Sequence, residues 1–79
     1  MVRVERELNA RHLVCPLPVI RTQEQVSQLS SGDVLKVICT DPGALVDIPA
    51  WCRVHGHQVI ATETEDDEIV IRLKVIGKD

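Results

Sequence analysis

One segment of the chain sets where the first helix begins, and it reads Leu13-Val14-Cys15-Pro16-Leu17-Pro18-Val19-Ile20-Arg21-Thr22. Proline has no N–H and holds φ near the helical value, so it is well tolerated only in the first turn of a helix. Pro16 and Pro18 therefore predict a helix that begins there. Because the residue before a proline is pushed toward extended backbone, Cys15 is predicted to be the N-cap, with its thiol at the mouth of the helix.

The predicted position of Cys15 favours a reactive thiol. The thiolate is the nucleophilic form of cysteine, and a thiol with an ordinary pKa of about 8.5 is only slightly ionised near neutrality. A helix N-terminus stabilises an anion by roughly 0.3–1 kcal/mol, so we predict a modestly lowered pKa for Cys15. Arg11, His12 and Arg21 are the nearest cations in the sequence and could lower it further. The alternative is a structural thiol that only caps the helix.

Hydrophobic patterns on both sides of this segment predict the element order βαβαββ. Val2 to Leu8 alternates loosely and predicts a first strand. The first helix is predicted to end near Leu29, because Ser30-Ser31-Gly32-Asp33 follows it. Residues 34–39 are almost continuously apolar and are bounded by turn residues, which is typical of an interior strand.

A second helix and a hairpin are predicted for the rest of the chain. Asp47-Ile48-Pro49 has the pattern of a capping side chain followed by a proline in the first turn. This helix should run to about His55, where Gly56 supplies a left-handed stop. The last two strands are predicted at residues 59–62 and 69–75, and an acidic loop at residues 63–68 joins them.

These elements predict a single domain over residues 1–79, an α/β (α+β) two-layer sandwich with two helices on one face of a four-stranded mixed sheet. Trp51 is the sole aromatic residue, so the core must be aliphatic. We interpret Trp51 as a core or interface anchor. On the first helix Val19, Val26 and Leu29 share one face and are predicted to meet the sheet.

Composition argues against several classes of function. The net charge is −3 and the basic residues are scattered, which disfavours a dedicated nucleic-acid binder. No apolar run approaches the ~20 residues of a membrane span and no signal peptide precedes the first strand, so we expect a cytoplasmic protein. Three cysteines without a Cys-x-x-Cys spacing disfavour a disulfide framework and a zinc knuckle.

No metal or cofactor is predicted. His12, His55 and His57 are poorly spaced for a metal site. Cys39 closes the interior strand and is interpreted as a buried packing residue. Cys52 could accept or resolve sulfur, but nothing near it in sequence favours ionisation, so we interpret it as structural.

The segment from Leu8 to Pro18 resembles the signature of the TusA (SirA-like) sulfur-carrier family. That family's pattern continues with a Leu-x-x-Gly turn, Asp-Pro, Asp-Ile-Pro and a glycine before the last strands. The matching segments here are Leu29-Ser30-Ser31-Gly32, Asp41-Pro42, Asp47-Ile48-Pro49 and Gly56, so the resemblance covers nearly all 79 residues. Asn9 replaces the usual aspartate and His12 the usual glycine, and a glycine there indicates a positive φ.

The resemblance implies a sulfur carrier. Cys15 would accept sulfane sulfur as a persulfide from a donor protein such as a cysteine desulfurase or a rhodanese. An acceptor such as a DsrE-like protein or a thiolation enzyme would then take it, in tRNA thiolation or in dissimilatory sulfur oxidation. Pro16, Pro18, His12 and Arg11 would support Cys15. The sequence has no triad, phosphate loop or cofactor cradle, which favours sulfurtransferase-type transfer by a monomeric carrier over a stand-alone enzyme.

Leu17 and Ile20 fall outside the core-facing stripe and lie beside Cys15, with Arg21 and Glu24 behind them. We interpret these four residues as a docking surface for partner proteins, although isolated exposed aliphatic side chains are ordinary. The alternative function is a regulatory or protein-binding module in which Cys15 is a structural cap. A thiol redox enzyme would need a resolving cysteine, and neither of the other cysteines is well placed for that role.

Overall fold

The computed structural model describes residues 5–76, and within them the order βαβαββ is confirmed. The six elements are β1 (Glu5–Ala10), α1 (Leu17–Val26), β2 (Val34–Cys39), α2 (Ala44–His55), β3 (Gln58–Glu65) and β4 (Glu68–Lys74). Both helices pack on one face of a four-stranded mixed sheet, as the sequence predicts. β2 has the predicted bounds. Val2 and Val4 of the predicted first strand lie outside the described residues.

The strands are arranged in the order β1-β2-β4-β3. β1 and β2 are parallel, and a parallel pair needs a crossover, which α1 provides. β4 pairs antiparallel with both β2 and β3. β1 continues past its predicted end at Leu8, because Asn9 and Ala10 remain paired with β2. The loops that follow β1 and β2 therefore leave the sheet at the same edge, where Cys15 lies.

The core lies between the helices and the sheet and is aliphatic. In and just after β4, the side chains at odd positions from 69 to 75 are buried, whereas those at even positions are only partly buried. β2 is buried on both faces, as expected of an interior strand. Its residues Leu35, Val37 and Cys39 belong to the core cluster, while the alternating residues Val34 and Ile38 lie on the opposite face.

The buried face of α1 is the predicted one. Thr22, Val26 and Leu29 are buried, and Val19 packs against the core. The Thr22 hydroxyl donates to the Pro18 carbonyl oxygen at 2.8 Å, so this buried polar group is satisfied. The α-helix ends at Val26 and not near Leu29, because the N–H groups of Gln28 and Leu29 donate to carbonyls three residues back and so form a tighter turn.

The start of α1 differs from the prediction. Pro16 is the N-cap, with φ −98°, and no side chain caps this end of the helix. The Leu17 N–H donates to the Val14 carbonyl oxygen at 2.9 Å, and this turn moves the helix boundary from Cys15 to Pro16. The prediction that Cys15 is the N-cap is therefore wrong. Cys15 lies in the loop that precedes the helix.

α2 begins at Ala44, earlier than the predicted cap at Asp47. The carboxylate and carbonyl of Asp41 accept the N–H groups of residues 43 and 44 at 3.1 and 3.0 Å, and this turn starts the helix early. The capping role predicted for Asp47 is wrong, since Asp47 lies within the helix and Pro49 follows it inside. The left-handed stop at Gly56, with φ 79°, is confirmed. Within the described residues, neither helix has the length and apolarity needed to span a membrane.

The β3–β4 hairpin is longer than the sequence predicts. β3 runs to Glu65 and β4 starts at Glu68, so the connection is the two residues Asp66 and Asp67 instead of an acidic loop over residues 63–68. Asp66 has a φ of 55°, which aspartate tolerates better than most residues. The acidic residues of β3 extend the strand because tertiary pairing with β4 outweighs their low strand propensity.

Ile71→Ala should destabilise the fold far more than Ile60→Ala. Ile71 is fully buried in β4, whereas Ile60 is 46% exposed on β3. Truncating a buried isoleucine removes apolar contacts and leaves a cavity, so we expect the free energy of unfolding to fall by about 2–5 kcal/mol. The loss at Ile60 should stay below about 1 kcal/mol. Urea unfolding followed by circular dichroism measures both, and equal losses would contradict the assignment of the core.

Candidate functional site

The candidate site lies at the edge of the sheet where β1 and β2 end. The loops after these strands are joined by hydrogen bonds from backbone to side chain. The His12 N–H donates to Thr40 Oγ1 at 2.9 Å, and the Cys15 N–H donates to Asp41 Oδ2 at 2.8 Å. The loop that carries Cys15 is therefore held in place by the loop after β2.

His12 adopts a left-handed backbone, with a φ of 66°. This is the conformation that the family's glycine indicates at this position, and histidine is one of the residues enriched there. The hydrogen bond from its N–H to Thr40 fixes the orientation of the peptide. The departure from glycine thus leaves the loop path intact, at the cost of a side chain in a conformation that most residues avoid.

Cys15 is exposed, and its sulfur meets the first turns of α2. Sγ donates a hydrogen bond to Asp47 Oδ2 over a distance of 2.9 Å. This hydrogen bond, followed by desolvation and by the negative charges of Asp47 and Asp41, raises the pKa of Cys15 above its ordinary value. The predicted lowering of this pKa is wrong. The nearby Leu17 N–H bonds to the Val14 carbonyl oxygen and not to the sulfur.

Of the cations that the sequence places near the thiol, the two arginines contact other groups. Arg11 donates to both carboxylate oxygens of Glu68, at 2.6 and 3.2 Å. The pKa of Glu68 is lowered, chiefly by this hydrogen bond and less by the charge of His12. Arg21 pairs with Glu24 at 3.2 Å. Among residues 5–76 the sulfur hydrogen-bonds to a carboxylate and not to a cation. Arg11 therefore supports the loop through β4 instead of stabilising a thiolate.

Asp41 and Asp47 are the site residues that the sequence reasoning missed as neighbours of the sulfur. For Asp41 a signal was present: it follows β2 directly, and the carboxyl ends of parallel strands meet at one edge of a sheet. For Asp47 no local signal existed, because its contact with Cys15 depends on the early start of α2 and on how that helix packs.

Exposed apolar side chains lie in the segments that carry Cys15 and Asp47. Leu17 and Ile20 are 38% and 43% exposed on α1, and Val14 is 65% exposed in the loop before it. Val46, which precedes Asp47 on α2, is 69% exposed. We refer to Val14, Leu17, Ile20 and Val46 as the apolar rim. The exposure of Leu17 and Ile20 agrees with the sequence pattern, and their use in docking stays a prediction.

The other two cysteines lie in the core. Cys39 and Cys52 are 0% and 1% exposed, and burial raises the pKa of each to about 11. A thiol of this kind is protonated at neutral pH and out of reach of partners. The predicted burial of Cys39 is confirmed, and the burial of Cys52 agrees with its interpretation as a structural residue. Cys15 is the exposed thiol of the three.

Among residues 5–76, no three His, Cys, Asp or Glu side chains are grouped closely enough to hold a metal ion. His55 and His57 lie against the indole of Trp51 instead, with ring centroids 4.8 and 5.3 Å away. His57 Nδ1 accepts the Ile76 N–H at 3.2 Å. Trp51 packs against the core, which agrees with its predicted role as a core anchor.

Comparison with known proteins identifies the family. The family model for sulfurtransferase TusA matches residues 6–75, nearly the whole chain. The chain belongs to the TusA family. The sulfur carrier protein TusA of Allochromatium vinosum is 35% identical to this TusA-family chain over 74 residues, which cover 94% of this chain and 97% of that relative. The resemblance read from the sequence is confirmed.

Some relatives are much longer than this TusA-family chain. YrkF of Bacillus subtilis is 34% identical over 67 residues, which make up 85% of this chain but 36% of YrkF. The chain likewise spans 37% of a relative from Aquifex aeolicus. The crystal structure of a SirA-like protein from Desulfitobacterium hafniense matches with a TM-score of 0.80 at 22% identity, over 90% of this chain and 97% of that one. This likeness confirms the fold.

The positive φ at residue 12 restricts which side chains fit there, and this can be tested. His12→Gly should leave the free energy of unfolding within about 1 kcal/mol of wild type, because glycine relieves strain in the folded loop but gains freedom in the unfolded chain. His12→Val should lower it by about 1–3 kcal/mol, since a β-branched residue fits a positive φ poorly. Thermal and urea unfolding of the two variants provide the measurement. A valine variant as stable as the glycine variant would refute the left-handed loop.

Proposed function

We propose that this TusA-family protein is a sulfur carrier that holds sulfane sulfur as a persulfide on Cys15 and passes it to an acceptor protein. The observation that supports this most directly is the exposure of the Cys15 thiol, while Cys39 and Cys52 are buried. The family match and a relative named sulfur carrier protein TusA support the same role.

Sulfur arrives on Cys15 by a displacement of the thiol–disulfide type. The Cys15 thiolate attacks the outer sulfur of a persulfide on the donor protein. A bond forms between that sulfur and Sγ, the S–S bond of the donor breaks, and the donor cysteine leaves as a thiolate. An acceptor cysteine then unloads Cys15 by the same displacement. The two proteins exchange one sulfur atom without net oxidation or reduction, so the transfer consumes no oxidant or reductant.

The carrier needs two partners that reach the same sulfur in turn. The donor would be a cysteine desulfurase or a rhodanese, and the acceptor a DsrE-like protein or a thiolation enzyme. The pathway served would be tRNA thiolation or dissimilatory sulfur oxidation. An exposed sulfur at the end of the sheet suits this use, because each partner must approach Sγ with a cysteine of its own.

The competing interpretations have less support. A regulatory module in which Cys15 is a structural helix cap would require the side chain to cap α1, but the N-cap is Pro16 and the thiol is exposed. A thiol redox enzyme would require a second cysteine able to reach Cys15. Cys39 and Cys52 are instead buried, with pKa values raised to about 11.

The carrier proposal predicts a gain of mass on one residue. After incubation with a cysteine desulfurase and cysteine, or with a rhodanese and thiosulfate, intact mass spectrometry should show the addition of one sulfur atom that dithiothreitol removes. Cys15→Ser should gain none, because its hydroxyl is a poor nucleophile toward sulfur. A variant with both Cys39→Ser and Cys52→Ser should still gain it if it folds. A wild-type protein that never gains sulfur from either donor would refute the carrier proposal.

We also propose that Leu17, Ile20, Arg21 and Glu24 form a docking surface for these partners. Leu17→Ala combined with Ile20→Ala should slow loading from a limiting amount of donor protein at least about threefold, since a few residues near the centre of an interface carry most of the binding energy. Both residues are partly exposed, so stability should change by less than about 1 kcal/mol each. Ile60→Ala, at an exposed isoleucine on β3, is the matched control. Loading as fast as in this control would remove the docking proposal.

A further inference from the structure

Two carboxylates from different parts of the chain converge on Cys15. Asp47, on α2, accepts the hydrogen bond from Sγ at 2.9 Å, and Asp41, in the loop after β2, accepts the backbone N–H of the same residue at 2.8 Å. An exposed nucleophile is ordinarily activated by a nearby cation or base. Here the nearest ionised group carries the same charge that the sulfur itself would carry after ionisation.

The other charged groups around the site do not offset these carboxylates. In the loop before α1, Arg11 is bound to Glu68 of β4, and the charge of His12 acts on that same glutamate. On α1, Arg21 is paired with Glu24. Among the charged groups, Asp47 therefore has the largest effect on the protonation of the thiol, and Asp41 has a smaller one.

We propose that Asp47 is a positioning residue that keeps the thiol of empty Cys15 protonated, and that Asp47 favours the protonated form less strongly once a second sulfur is attached. This role rests on the proposed carrier function. Empty Cys15 is thereby slow to react with small electrophiles and oxidants that it meets in solution. The loaded residue presents its outer sulfur on the side away from Asp47.

The physical reason is the distance between two like charges. Ionisation of the empty thiol places a negative charge 2.9 Å from the Asp47 carboxylate and ends the hydrogen bond between them. In the persulfide the charge moves to the outer sulfur, which an S–S bond places roughly 2 Å beyond Sγ. Since Cys15 is exposed, rotation about its side chain can turn that sulfur toward solvent, and repulsion from Asp47 favours this orientation. Both effects reduce the penalty on the charged form.

The first test compares the reactivity of the empty thiol in variants at residue 47. Alkylation of Cys15 by iodoacetamide, followed by intact mass spectrometry from about pH 6 to about pH 10, reports the fraction of thiolate at each pH. Asp47→Asn should move the midpoint to lower pH and speed alkylation about three- to tenfold at pH 7. Asp47→Glu, which keeps the charge, should restore a profile close to wild type. Glu5→Gln makes the same change of charge at the far end of β1 and should leave the profile unchanged.

The second test repeats the profile on the loaded protein. Inorganic polysulfide serves as the probe that places sulfur on Cys15, and mass spectrometry separates alkylated persulfide from alkylated thiol. Asp47→Asn should change the alkylation rate of the persulfide less than about twofold, well below its effect on the empty thiol. Equal effects of Asp47→Asn on both forms would overturn the claim that Asp47 suppresses ionisation less in the persulfide than in the empty thiol.

The outcomes separate this inference from the carrier proposal. An unchanged or raised midpoint in Asp47→Asn, in a variant whose circular dichroism matches wild type, overturns the role of Asp47 even if desulfurase or rhodanese still loads Cys15. If Asp47→Asn lowers the midpoint but neither donor loads the wild-type protein, the role of Asp47 at the empty thiol is supported and the carrier proposal is refuted. If Asp47→Asn fails to fold, the profile of Asp47→Glu decides, because a midpoint well below that of wild type with the charge retained overturns the electrostatic role.

Discussion

The parallel pairing of β1 with β2 is the constraint on which the rest of this structure depends. It forces the chain to cross over through α1 and to deliver the loops after both strands to one edge of the sheet. At that edge Asp41 holds the backbone of Cys15 and also starts α2, which in turn brings Asp47 to the sulfur. One pairing of strands thus brings the loop that carries Cys15 together with a segment at least 26 residues further along the chain.

The electrostatics of this site differ from those of a self-activated thiol. A helix N-terminus attracts anions, but its effect is modest and is confined to the first turn. The thiol of Cys15 lies just outside α1 and donates its proton toward a carboxylate, so the balance favours the neutral form. Exposure makes the sulfur accessible to partners. The apolar rim of Val14, Leu17, Ile20 and Val46 adds exposed apolar surface whose burial in an interface would be favourable.

Burial divides the three cysteines into two kinds. Cys39 and Cys52 fill space in an aliphatic core where a small polarisable side chain packs well, and the surrounding apolar groups suppress their ionisation. Cys15 shares none of that packing. A small domain with one core needs most of its apolar residues for stability, which makes the exposed aliphatic side chains near Cys15 more notable than they would be in a larger protein.

The amino-acid sequence by itself determined the order of the elements, the strand 34–39, the buried face of α1 and the stop at Gly56. These depend on local rules, namely alternation, helical periodicity and the conformations of proline and glycine, which act within a few residues. It also singled out Cys15, because Pro16 directly after it pushes its backbone away from helical geometry and leaves the thiol at the mouth of α1. Only the tertiary structure decided that Asp66 and Asp67 alone connect the last strands, that α2 starts at Ala44, and that Asp47 meets the sulfur. These features depend on pairing and packing between distant segments, and no local pattern encodes the distance between two side chains 32 residues apart.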